Sequence, residues 1–98
     1  MDDDELHFEW DDEKAASNLQ KHGVSFEAAM ALFDDPARLE EGDFFARGEY
    51  RTIAIGAVDT VVLTVVYAQP EENLIRLISA RLATAKERRA YEQNIIHP

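Results

Sequence analysis

The sequence predicts an α+β fold in the order β-α-α, then an antiparallel β meander, then a closing α-helix. Two observations carry this. Helical patterns lie at the two ends of the chain, while the middle reads as consecutive strand segments joined by short turns, and helices segregated from a run of hairpins define the α+β class. The 98 residues, 46% apolar and 31% charged, fit one globular domain spanning 1–98, with residues 1–5 expected as a flexible acidic extension. So short a chain buries roughly 60–65% of the surface its unfolded form exposes, so a thin core is expected.

Each element has a local reason. Leu6–Trp10 alternates weakly and reads as a short strand. Asp11 or Asp12 caps a helix with acids in its first turn, which the helix dipole favours, and Gly23 follows His22 as the stop residue. Ala15, Leu19 and His22 fall on one face of that helix; Lys14, Asn18 and Lys21 fall on the next. Ser25 caps a second helix, Phe26–Phe33, and Asp34-Asp35-Pro36 ends it, because a residue before proline avoids the helical region. Arg38–Gly48 is polar and unassigned, with Leu39–Glu40 or Phe44–Phe45 as candidate strand pieces.

Tyr50–Ala57 is a strand with Tyr50, Thr52, Ala54 and Gly56 on one face and Arg51, Ile53 and Ile55 on the other. Val61–Ala68 is apolar enough for the middle of a sheet. Gln69–Asn73, with Pro70, reads as a turn, and Leu74–Ala80 as the next strand. Alternation there puts Arg76, Ile78 and Ala80 on one face and Leu77, Ser79 and Arg81 on the other, so the two arginines do not converge unless the strand ends near Ser79. Thr84-Ala85-Lys86-Glu87 fits a capping box that opens a helix running toward Asn94.

Charge narrows the function classes. The net charge is −10, yet eight acids lie within residues 1–13, leaving ten basic against twelve acidic groups in the remainder. The acidic segment is either a solvated terminus or a tail that folds back over the basic stretch as a phosphate mimic. Cysteine is absent, which removes disulfides and thiolate chemistry and fits a reducing, cytoplasmic location. The acidic start lacks the basic region of a signal peptide, and no apolar run approaches the roughly 20 residues of a membrane span. No metal-spaced histidine pair, Ser-His-Asp arrangement or phosphate-binding glycine loop is present, so no metal or cofactor is expected.

Two blocks, FEWDDEKAASNLQKHGVSFEAAMALFDDP (Phe8–Pro36) and the stretch Gly48–Tyr91 containing GEYR, IAIG, VVLTVVY and RLISARLATAKERRAY, resemble the BrnT family of toxins from bacterial type II toxin–antitoxin pairs. The resemblance implies a small RelE-like sheet with packed helices and metal-independent RNA cleavage that inhibits translation. It also implies a cognate antitoxin with a ribbon-helix-helix DNA-binding part in a hetero-oligomer, which reaches DNA only through that antitoxin. Where relatives often carry a polar residue before the GE.R segment, this chain has Phe44-Phe45-Ala46-Arg47.

Such chemistry needs a base for the 2′-hydroxyl, cations for the phosphorane and an acid for the leaving oxygen. His22 has the right titration range for acid or base work, or is a helix-end histidine capping carbonyls. Lys21 would hold a phosphate, or is solvated. Glu49 and Arg51, two residues apart on one strand face, form a structural ion pair or an oriented phosphate clamp. Arg81, placed just past its strand and near a helix N-terminus, is the foremost phosphate ligand, with Arg76 as a further substrate contact. Tyr67 donates to substrate or stacks on a base, unless it is core. A non-catalytic module that binds a ribbon-helix-helix partner is the competing reading.

Overall fold

The computed structural model describes residues 5–96. The expected acidic extension, apart from Glu5, and its fold-back onto the basic stretch lie outside the described residues. The elements run β1 (His7–Glu9), α1 (Asp12–His22), α2 (Phe26–Met30) continued by a 3₁₀ turn (Ala31–Asp34), β2 (Leu39–Ala46), β3 (Glu49–Val58), β4 (Val61–Glu71), β5 (Leu74–Leu82) and α3 (Ala85–Ile96). The α+β class and the order of elements are as the sequence predicts.

The local signals work as expected. Asp11 accepts from the amides of Glu13 and Lys14, Gly23 ends α1 in the left-handed region, and Ser25 accepts from the amide of Ala28. Thr84 Oγ1 accepts from the Glu87 amide at 3.1 Å, while the Glu87 carboxylate accepts from the Thr84 amide at 2.9 Å, completing the capping box.

The sheet departs from expectation in four ways. Its strand order is β1-β5-β4-β3-β2, and β1 joins β5 in parallel, so the sheet is mixed rather than a pure antiparallel meander. The unassigned polar stretch is the edge strand β2, whose exposure on both faces hides the alternation that marks a strand. β4 continues through Pro70 to Glu71, where a register shift absorbs the residue that cannot donate to the ladder. β5 extends to Leu82, so Arg81 lies within the strand, opposite Thr64.

Two β-bulges then reset which side chains share a face. In β5, Val66 pairs with Ser79 but Tyr67 pairs with Leu77, leaving Ile78 as the extra residue. The alternation flips there, and Arg76 and Arg81 come to the same face. In β2, the register shifts between Glu41 and Asp43, with Gly42 at φ 55° as the extra residue. A left-handed glycine is the natural occupant of such a bulge.

On one face of the sheet, Phe26, Ala29, Leu32 and Phe33 pack against Ala54, Leu63, Val65, Tyr67, Leu77 and Ala80. α3 covers only part of the other face, where Tyr91 meets Ile55, Ala57 and Val62. α1 lies along β5 beyond the short reach of β1. Its buried residue is Asn18, while Leu19 is half exposed. The Asn18 amide donates to the Ala80 and Val24 carbonyls at 2.8 and 3.0 Å and accepts from the Ala80 amide at 3.1 Å. It thereby satisfies ladder groups that lack a strand partner.

Candidate functional site

The uncovered part of the second face carries the arginines. In register, Phe44 pairs with Arg51 across β2 and β3, Ala68 pairs with Arg76 across β4 and β5, and Arg76 pairs with Glu9 of β1. Arg51 and Arg76 are therefore two strands apart, about 10 Å between backbones at roughly 4.8 Å per strand. The small Ala68 lies between them, and the next row holds Ile53, Val66 and Ser79. A third row holds Ile55, Thr64 and Arg81 at the wall formed by α3.

Glu49 links the two arginines of the first row. Its Oε2 accepts from Arg51 Nε and Nη2 at 3.3 Å, and its Oε1 accepts from Arg76 Nη1 at 2.9 Å. Arg76 Nε donates to Glu9 at 2.8 Å, the foremost reason its pKa is raised. The pair expected between Glu49 and Arg51 is thus one side of a four-residue network. Arg51 is its most enclosed member, with a side chain 13% exposed.

Arg81 grips Glu87 with two parallel bonds, Nη1 to Oε1 at 2.8 Å and Nη2 to Oε2 at 2.9 Å. Glu87 also accepts from Thr64 Oγ1 at 2.9 Å. The Arg81 bond is the main cause that pulls the Glu87 carboxyl down to about 2, against the opposing effect of burial and with help from the Thr84 amide and Thr64. The α3 N-terminus expected to favour an anion beside Arg81 is therefore already served by the chain's own carboxylate.

Lys21 and His22 are exposed on α1. With Lys14 and Ser17 they line a depression that includes Ile78 and Ser79 at the β5 bulge. Lys14 also lines the adjoining depression with Glu9, Trp10, Asp11 and Arg76. A strip of basic side chains thus runs from Lys21 and His22 past Ser79 to Lys14 and Arg76, and Lys14, Lys21 and His22 make no ion pair among the described residues. Among the described residues the His22 side chain caps no carbonyl, and Gly23 closes the helix instead.

Tyr67 is elsewhere. It projects from the opposite face, 4% exposed, with its ring edge-on to Phe33 and its hydroxyl donating to Glu40 at 3.1 Å. Burial, then the Glu40 charge, raises its pKa to about 12. It is a core residue, as its place in an apolar strand allowed, and does not meet the arginines.

Lys14, Glu9 and Phe44 were not singled out from sequence. The Lys14–Lys21 spacing of two helical turns pointed to the first. Nothing local pointed to Glu9, which meets Arg76 from 67 residues away. Phe44 needed the Gly42 bulge to be known.

No described helix is long and apolar enough to cross a membrane. The structure is similar to the crystal structure of the Brucella abortus ribonuclease toxin BrnT, with a TM-score of 0.60 and 22% identity over 81% of this chain and 97% of that one. That likeness shows a shared fold. No curated protein sequence matches the chain. A family profile described as the ribonuclease toxin BrnT of type II toxin–antitoxin systems matches residues 10–87. The chain belongs to the BrnT family of ribonuclease toxins.

Proposed function

We propose that this chain cuts single-stranded RNA without a metal on the arginine face of its sheet, and that this cleavage inhibits translation in the cytoplasm. The carrying observation is that Arg51, Arg76 and Arg81 share one face, the bulge at Ile78 bringing Arg76 and Arg81 to the same side of β5. Arg51 and Arg76 bind the phosphate, and Glu49, held between them, sets their spacing. Guanidinium groups fixed in this way stabilise the charge that develops on a phosphorane without reorganising. The 2′-hydroxyl supplies the nucleophile, which is why no metal-bound water is required. Arg81 marks the far end of that face, and Lys21 and His22 approach from the β5 edge, His22 as a proton carrier. A cognate antitoxin with a ribbon-helix-helix part covers the toxin in a hetero-oligomer, through which alone the complex meets DNA. The whole chain acts as one domain.

The test is incubation of the chain with labelled RNA in EDTA. The expected products end in 2′,3′-cyclic phosphate, a 2′-deoxy substitution at the scissile position blocks the cut, and Arg51→Ala lowers the rate on the order of 100-fold. No cleavage by folded protein would sink this reading.

One observation favours a non-catalytic interaction module. Arg51, Arg76 and Arg81 each already hold a carboxylate, as a partner-binding surface would tolerate and an RNA site must undo. Growth arrest on expression without antitoxin, relieved by Arg51→Ala, decides against the module.

A further inference from the structure

The arginine face has an aromatic residue at its open edge. Phe44 stands beside Arg51 as its cross-strand partner and is 41% exposed. No described ring packs on it, whereas Phe45, on the opposite face, pairs with Tyr50 at 5.0 Å between centroids. Phe44 reaches this side only because Gly42 interrupts the β2 alternation; in a regular strand Phe45 would lie there instead. The bulges at Gly42 and Ile78 therefore turn side chains toward one surface, one delivering an aromatic ring and the other a guanidinium. Bulges that re-aim side chains in this way are concentrated next to active sites.

A flat apolar ring next to paired guanidiniums fits one ligand chemistry well. The cations hold a backbone phosphate, and the ring stacks on the base attached to it. Ala68 stands between Arg51 and Arg76, with Ile53 and Val66 in the next row, so the sheet surface beside the ring is apolar. A duplex keeps its bases stacked inward and cannot use the ring, so the ligand is an unpaired nucleotide.

We propose that Phe44 is a base-stacking platform that binds the unpaired nucleobase flanking the phosphate held by Arg51 and Arg76. This rests on the RNA-cleaving reading and adds a base subsite to it. Stacking is tolerant of base identity, so the platform governs the position and affinity of the substrate more than its sequence.

The experiment uses the full chain and a short single-stranded RNA made uncleavable by 2′-O-methyl riboses, with binding followed by fluorescence anisotropy. Phe44→Leu weakens binding roughly tenfold and Phe44→Trp restores it. An abasic residue scanned along the RNA reproduces the loss at one position in the native protein and adds nothing further in Phe44→Leu. Equal affinity of Phe44→Leu and native protein would overturn the platform, as would an abasic penalty that stays the same in both. Thermal melting of each variant shows that it is folded. Cleavage of unmodified RNA in EDTA with an unchanged KM in Phe44→Leu removes the platform and leaves the ribonuclease standing. Absence of both binding and cleavage by native protein removes both.

Discussion

The two faces of the sheet are made by the same three central strands and could hardly differ more. On one, Phe26 and Leu32 are fully enclosed, and Tyr67 has its hydroxyl satisfied by Glu40. On the other, α3 covers one end and leaves an ionic network in reach of solvent. A thin fold has enough apolar surface to seal one face completely, and the half-sealed face is where charged groups can be held in fixed geometry without full burial. Apolar burial and the ionic network thus lie on opposite sides of a single layer.

Substitutions that touch one face alone sharpen this division. The largest effect on stability is expected at the closed face: Phe26→Ala should destabilise by about 3–5 kcal/mol, seen as a shift in urea midpoint. Next comes the clasp where α3 meets the open face. Glu87 has its pKa lowered from 4.5 to about 2. A depressed carboxyl contributes stability above its unfolded pKa and loses it as pH falls through the folded one. Unfolding free energy should therefore drop by on the order of 2–3 kcal/mol between about pH 5 and 2. Glu87→Gln should lack that part of the acid limb and be less stable at pH 7; an unchanged pH profile would break the assignment. The smallest effect is expected at Arg76, whose side chain is 41% exposed. Arg76→Ala should cost no more than about 1 kcal/mol, as exposed ion pairs do, while RNA cleavage falls far more. A stability loss as large as that of Phe26→Ala would erase the distinction between the faces.

What the chain reveals before folding follows the range of the interactions. The Asp11 and Ser25 caps and the Thr84–Glu87 box span three residues or fewer, and all were legible. So was the Glu49–Arg51 pair, two residues apart. The common face of Arg76 and Arg81 was not, because a bulge is defined by the partner strand, and alternation within β5 alone pointed the other way. The parallel seat of β1 and the Glu9 contact depend on residues brought together from distant parts of the chain. The role of Asn18 was hidden for a related reason. An amide reads as polar surface, yet here it does the work of a missing strand.

That amide has a consequence for the protein before any partner arrives. With Asn18 closing β5 and β1 alongside it, one margin of the sheet offers few unpaired ladder groups to another chain. The other margin, β2, is open, but Glu40, Glu41 and Asp43 lie along it. Two copies meeting edge to edge there would bring like charges together, which discourages the self-pairing that leads to aggregates. The same row of acids leaves the strand accessible to a complementary basic segment, so the feature that keeps the molecule from joining itself does not close it to others.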